Sequence, residues 1–178
     1  MNKKIRQSSI RAVFIGYFCA MIIACGYGFA PQGDHIDKRI QKIYVGQFDN
    51  KTAQAEVENY VRSAFIDQFI STRRFKIVES VELADATIKG SILNLTMSPL
   101  SYRSNTVAAE ERATITMELV FREKESGKDI WKSQGIVGTV DYTIDNNINL
   151  LPATRKTAFI KLANDTAEKT FNQMMSGF

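Results

Sequence analysis

Between residues 113 and 121 the chain alternates strictly. Ala113, Ile115, Met117, Leu119 and Phe121 occupy every second position, with Thr114, Thr116, Glu118 and Val120 between them. Successive side chains of a strand point to opposite faces, so this period describes a strand with one buried face. Such a face has to be covered, and the cover must come from elsewhere in the chain.

Two stretches have the helical period that could supply it. In residues 53–71, Val57, Tyr60, Val61, Ala64, Phe65, Gln68 and Phe69 form one stripe. In residues 153–175, Phe159, Leu162, Ala163, Thr166, Ala167, Thr170, Phe171 and Met174 form another. Strands are expected at about 41–48, at 75–78 and at 86–97, the last closed by Ser98-Pro99. Asp49 to Thr52 reads as a turn and helix start, with Asn50 or Thr52 as cap. Arg73-Arg74 at the end of the first helix suits its C-terminal dipole. A polar loop is expected at 98–108, a hairpin turn at Glu125 to Lys128, and a strand at 129–141. In that last strand Gly135 and Gly138 mark a bulge or a close backbone approach. A second polar loop, 142–152, leads into the final helix, which Ser176-Gly177 ends. The order β-α-β-β-β-β-α predicts an α+β fold. Two helices pack on one face of a mostly antiparallel or mixed sheet of four to five strands. The other sheet face is mixed polar and meets solvent or a partner.

The N-terminal segment has a different character. Lys3, Lys4, Arg6 and Arg11 precede an uncharged run of 13 residues, Ala12 to Ala24. A membrane-spanning helix needs about 20 apolar residues, whereas a secretory leader has a core of about 7–15 after a positive start. The run ends Ile22-Ile23-Ala24-Cys25-Gly26, which resembles the lipobox of bacterial lipoproteins. That resemblance implies cleavage before Cys25 and a diacylglycerol thioether on its sulfur. Several acyl chains, at about 0.8 kcal/mol per buried CH₂, make such an anchor effectively permanent. Gly26 after the cysteine, in place of Asp, matches the sorting pattern for the outer membrane.

Charge and cysteine usage exclude several functions. The chain has 23 basic and 19 acidic residues, and without the leader's four bases the two are balanced. A neutral domain gives no support for nucleic-acid binding, which needs a basic face. The cysteines are Cys19 and Cys25, so the domain beyond them has no disulfide, cysteine metal site or cysteine nucleophile. The single histidine, His35, falls in the Gly- and Pro-containing tether, where a catalytic triad would be poorly held. Glu110-Glu111 reads as a solvated acidic pair at a strand entrance. No clustered ligands suggest a metal site, and no P-loop, dinucleotide fingerprint or Gly-x-Ser-x-Gly is present. Basic clusters remain: Arg103 and Arg112; Arg122, Lys124, Lys128 and Lys132; Arg155, Lys156 and Lys161. Each reads first as solvated surface. An arginine can also clamp phosphate with two parallel hydrogen bonds, and Tyr102 beside Arg103 would add apolar contact with an acyl or sugar group.

The ordered set of motifs resembles the LptE family, the lipoprotein subunit of the outer-membrane lipopolysaccharide translocon. The matching stretches are Cys25-Gly26-Tyr27-Gly28-Phe29, the strand, turn and helix from Ile43 to Val78, and Ala84-Asp85-Ala86. They continue with the hairpin Glu125 to Trp131 and with the last helix. The resemblance implies a signal peptide over 1–24, a lipidated tether over 25–39 and one α+β domain over 40–178. It implies a non-enzymatic plug and assembly factor for an LptD-type β-barrel, held at the periplasmic face of the outer membrane. It implies no cofactor, only the covalent lipid on Cys25. It implies lipopolysaccharide contacts at Tyr102 and Arg103 and at Arg155 or Lys156. The alternative is a lipoprotein that activates a peptidoglycan synthase or serves a secretion pore. Co-purification separates the two, by a 1:1 complex with a large barrel or by a synthase partner. If Cys25 is the anchor, Cys25→Ala leaves the protein soluble or at the inner membrane. Unchanged outer-membrane fractionation of that variant would count against it.

Overall fold

The computed structural model describes residues 36–104 and 107–177, without the side chains of residues 103, 104, 107 and 108. The leader, Cys25 and His35 lie outside the described residues. The elements are β1 (Lys42–Val45), β2 (Asp49–Asn50), α1 (Val57–Ser71), β3 (Lys76–Ile77), β4 (Ala86–Ser104), β5 (Val107–Glu123), β6 (Asp129–Thr143) and α2 (Leu151–Ser176). Short 3₁₀ turns cover Val81–Leu83 and Ile148–Leu150.

The sheet runs β3-β1-β4-β5-β6, with β2 also paired to β4. β1 is parallel to β3 and β4, β2 is parallel to β4, and the long strands are antiparallel. The fold is thus the expected α+β arrangement, with the two-residue β2 as an additional strand. All five apolar residues from Ala113 to Phe121 are at 0% exposure. Their partners across the sheet, Ile88, Ile92 and Ile136 among them, are buried with them. The helices cover this face. α1 buries Val57, Val61, Ala64, Phe65 and Phe69, and α2 buries ten residues from Ala158 to Met175.

Aromatic rings join the layers. Phe69 of α1 meets Phe121 of β5 at 6.0 Å and Phe171 of α2 at 5.0 Å, both edge to face. Phe48 stacks on Phe65 at 5.5 Å. Its ring lies over Gly90, where a Cβ would come within 2.7 Å of it. The glycine leaves room on the sheet for an aromatic ring that belongs to a loop.

Several local expectations are corrected. Asp49-Asn50 is not a helix start but a parallel rung against Ser91 and Ile92. The Asn50 amide donates to the Gln54 carbonyl at 2.8 Å and to Glu58 at 2.7 Å, while its oxygen accepts from the Thr52 N–H. These bonds hold residues 51–56 as a loop, and α1 begins only after Glu56, which sits at φ +68°. Ser98-Pro99 does not close β4, which runs on to Ser104. Near Pro99 the strand has β5 as its only neighbour among the described residues, and an edge position tolerates a residue with no N–H. Arg74 lies beyond the last turn of α1 and has partners of its own. Its guanidinium donates to the Ile36 carbonyl at 2.8 Å and lies 4.9 Å from the centre of the Phe75 ring. Ile36, within the expected tether, is buried.

Both signalling glycines of β6 have a reason. Gln134 and Gly135 together oppose Glu118, a bulge between the Ile136–Met117 and Ser133–Leu119 pairs. A Cβ at Gly138 would lie 1.8 Å from Thr166 Oγ1 on α2 and 3.1 Å from Ile115. Thr166 cannot simply turn away, because its hydroxyl donates to the Leu162 carbonyl. Gly138→Ala is therefore expected to lower stability by about 1–3 kcal/mol. Gly135→Ala, with open space around it, should stay within about 0.5 kcal/mol of wild type. Urea denaturation of the two variants checks the contrast.

Candidate functional site

At one end of the sheet, β4 and β5 outrun β6. The last β6 rung pairs Thr143 with Glu110, and the Ile144 N–H donates to the Ala109 carbonyl. Ser101 shares that rung through Glu110, and beyond it the chain is a two-stranded arm in which Tyr102 pairs with Ala108 and Ser104 with Val107. The register shifts at each of these rungs. The expected polar loop 98–108 is therefore largely a β-arm, with residues 105 and 106 outside the described residues. Leu100 at the arm's base and Tyr102 on the arm are exposed, Tyr102 at 59%. Arg103 has its backbone in β4, and its side chain lies outside the described residues.

At the base of the arm sits Glu111. It pairs with Pro99 of β4 and with Tyr142 of β6, in the central of three strands. It is only 8% exposed, so it is not the solvated carboxylate that an acidic pair suggests. Arg155, from the first turns of α2, donates through Nη2 to both Glu111 oxygens at 3.2 Å. The Tyr142 hydroxyl donates to the same carboxylate. Burial, and then the hydrogen bond to the Glu111 carboxylate, push the Tyr142 phenol up to about 12. Burial opposes the charge on Arg155. Its interactions with Tyr142 and Glu111 outweigh that penalty and hold its pKa above the ordinary arginine value.

Lys156, the next residue, is exposed. It lines a cleft of about 370 Å³ between the start of α1 and the start of α2, with Gln54, Glu56, Tyr60, Pro152 and Phe159, and Arg155 borders the same cleft. The loop between β6 and α2 carries exposed Ile148 and Leu150. Leu150 borders Tyr142 in a neighbouring cleft. Three of the four residues expected to contact lipopolysaccharide thus gather at one end with defined side chains. They differ in kind: Tyr102 and Lys156 are open, and Arg155 is engaged.

The other basic residues are mostly paired on the far face or around the hairpin. Arg112 makes two bonds to Asp141, at 2.6 and 2.8 Å, and Arg122 reaches Asp129 at 2.6 Å. Lys124 donates to the Glu82 carbonyl. The residue that sequence reasoning missed is Glu111. A signal was present, since 111 continues the odd-numbered inward row that runs through Ala113 and Ile115.

Fold and site together define an α+β module with both helices on one sheet face and a projecting two-stranded arm. Among the described residues, no group of three or more His, Cys, Asp or Glu side chains could hold a metal. Residues 40–174 match the LptE family, described as Lipopolysaccharide-assembly, and the chain belongs to that family. A comparison with curated proteins finds no match. Among solved structures, a protein from Xanthomonas campestris has 7% identity and a TM-score of 0.52, over 78% of this chain and 85% of that one. A candidate lipoprotein from Caulobacter crescentus has 12% identity and a TM-score of 0.50, over 73% of this chain and 88% of that one. A Chlamydia trachomatis protein has 7% identity and a TM-score of 0.50, over 77% of this chain and 99% of that one. At these identities the likeness concerns the fold alone.

The Tyr142 environment has a measurable consequence. A phenol whose folded pKa is raised adds stability that is fully present below its unfolded value. That contribution is lost as pH rises from about 10 toward about 12. Tyr142→Phe should remove this part of the alkaline stability loss, in denaturation curves taken across the interval. Ultraviolet difference titration should show one late-ionising phenol missing in the variant.

Proposed function

We propose that this chain is a non-enzymatic, lipid-anchored subunit of the outer-membrane lipopolysaccharide translocon. In this reading residues 1–24 are a cleaved signal peptide, Cys25 carries the lipid, 25–39 tether it, and 40–178 form the working domain. The domain sits at the periplasmic face within an LptD-type β-barrel, assists its assembly and contacts lipopolysaccharide in transit.

The observation that carries the ligand part is the end of the sheet. Lipopolysaccharide joins phosphate groups to acyl chains and sugars. Here exposed Leu100, Tyr102, Ile148 and Leu150 stand at the same end of the fold as exposed Lys156. An ammonium offers charge to a phosphate, and the apolar side chains offer contact to acyl groups. The family match supports the lipopolysaccharide-assembly role. Among the described residues no helix is long and apolar enough to cross a membrane. A lipid on Cys25 would then be what attaches the domain to the bilayer.

Binding of purified lipopolysaccharide to the wild type and to Tyr102→Ala, Arg103→Glu and Lys156→Glu tests the site. Each variant should bind several-fold more weakly with its circular dichroism unchanged. Equal affinity in all three would reject this end as the contact surface. Crosslinking in intact cells tests the partner, and a product containing a peptidoglycan synthase in place of a barrel would sink the translocon reading.

A further inference from the structure

Arg155 and Lys156 are adjacent, yet their surroundings assign them different work. Arg155 Nη2 is committed to both Glu111 oxygens, and its Nε is buried with no hydrogen-bond partner. These two nitrogens form the side-on edge of the guanidinium fork, one of the two edges through which an arginine can clamp a phosphate bidentately. That edge is closed to a ligand arriving from solvent. Both residues border the same cleft, but Lys156 is the more exposed and has no such commitment to Glu111.

Glu111 joins three elements at the point where the arm leaves the sheet. It belongs to β5, receives the Tyr142 hydroxyl from the end of β6, and receives Arg155 from the start of α2, 44 residues away in sequence. Just beyond it the β4 register breaks repeatedly, and Pro99 is its partner across the β4–β5 ladder. Leu100 at the arm's base and Tyr102 on the arm are exposed, and neither is among the residues packed against the core. A two-stranded ribbon is marginal in water on its own. The direction in which the arm projects therefore depends on its base.

We infer that Glu111, Tyr142 and Arg155 are positioning residues, a latch that fixes the arm relative to α2 so that Tyr102 and Lys156 present one binding surface. Arg155 acts on the ligand only through this latch. The inference rests on the reading that the arm and Lys156 meet lipopolysaccharide, and it sharpens that reading by separating the two basic residues.

Glu111→Gln gives opposite results for the two possible roles of Arg155. If Arg155 were a direct phosphate ligand, removing the carboxylate would free it and tighten binding. If it is part of the latch, binding weakens and the arm loosens. The same logic applies to Arg155→Lys, which keeps the charge and loses the two-oxygen contact. The experiment uses the full-length acylated protein in detergent, with purified lipopolysaccharide as probe and amide hydrogen exchange as second readout. In Glu111→Gln the amides of residues 100–104 and 107–110 should exchange about tenfold faster or more, the loss expected for a hydrogen bond to a charged group. Exchange in β1 and in Ala113 to Phe121 should be unchanged, which shows that the core is intact. Lipopolysaccharide affinity should fall in both variants.

Unchanged exchange in the arm overturns the latch, whatever the affinity. Faster exchange with equal or tighter binding overturns the positioning role. Normal binding by Lys156→Glu together with Tyr102→Ala and Arg103→Glu overturns the ligand reading, and with it the claim that the latch serves a ligand. The exchange measurement separates that failure from failure of the latch itself.

Discussion

The inward-facing row of β5 sets the rest of the structure. Its five apolar residues are fully removed from water, and three of them meet a specific partner on a neighbouring element. Phe121 receives Phe69 of α1, Leu119 pairs with Gly90 beneath Phe48, and Ile115 pairs with Gly138 beneath Thr166 of α2. Burial of such side chains is worth about 1.5–3 kcal/mol each, so a slip of one residue would expose the whole row. The row does not stop at Ala113. Its next member is Glu111, and burial there changes sign, because a carboxylate taken from water needs partners. Tyr142 and Arg155 are those partners, and the place where they are needed is where α2 begins.

The far face of the sheet shows the contrast. Arg112 and Asp141 form a pair of similar geometry there, but both side chains are about half exposed, at 48% and 50%. Ion pairs at that exposure are worth about 0–1 kcal/mol. Lys51–Glu118 at 3.9 Å and Arg122–Asp129 are of the same kind. In the Arg155–Glu111 pair the carboxylate side chain is 11% exposed, and loss of either partner leaves a charge poorly solvated. Two pairs on neighbouring odd and even positions of one strand thus have different consequences, and the pleat alone decides which.

The periodic part of this fold was legible. Strand alternation and the two helical stripes led to the correct class, and Gly135 and Gly138 announced the bulge and the close approach that the structure contains. What was not legible depended on distant partners. Asn50 looks like a helix cap until its bonds to Gln54 and Glu58 are seen. Arg74 looks like a dipole partner until Ile36 accepts from it. Pro99 looks like a strand end because its acceptability depends on β4 having lost its neighbour on one side. At the site, the exposure of Tyr102 and Lys156 agrees with residue type. Glu111 does not: residue type argued for solvent while the period argued for burial, and the period was right.

A ligand that combines charge with acyl chains places two demands on a binding surface. It needs apolar side chains standing in solvent, and it needs them at a set distance from a cation. Exposed apolar groups cannot hold their own position by packing, because packing would bury them. Their position has to be set from a neighbouring buried contact. A purely apolar contact at the arm's base would bind without strict direction, whereas a carboxylate accepting from a guanidinium and a phenol constrains distance and orientation together. Rigidity of this kind lowers the ordering cost of binding. The buried carboxylate at the end of an otherwise apolar row is then where the packing of the core is converted into the geometry of the surface.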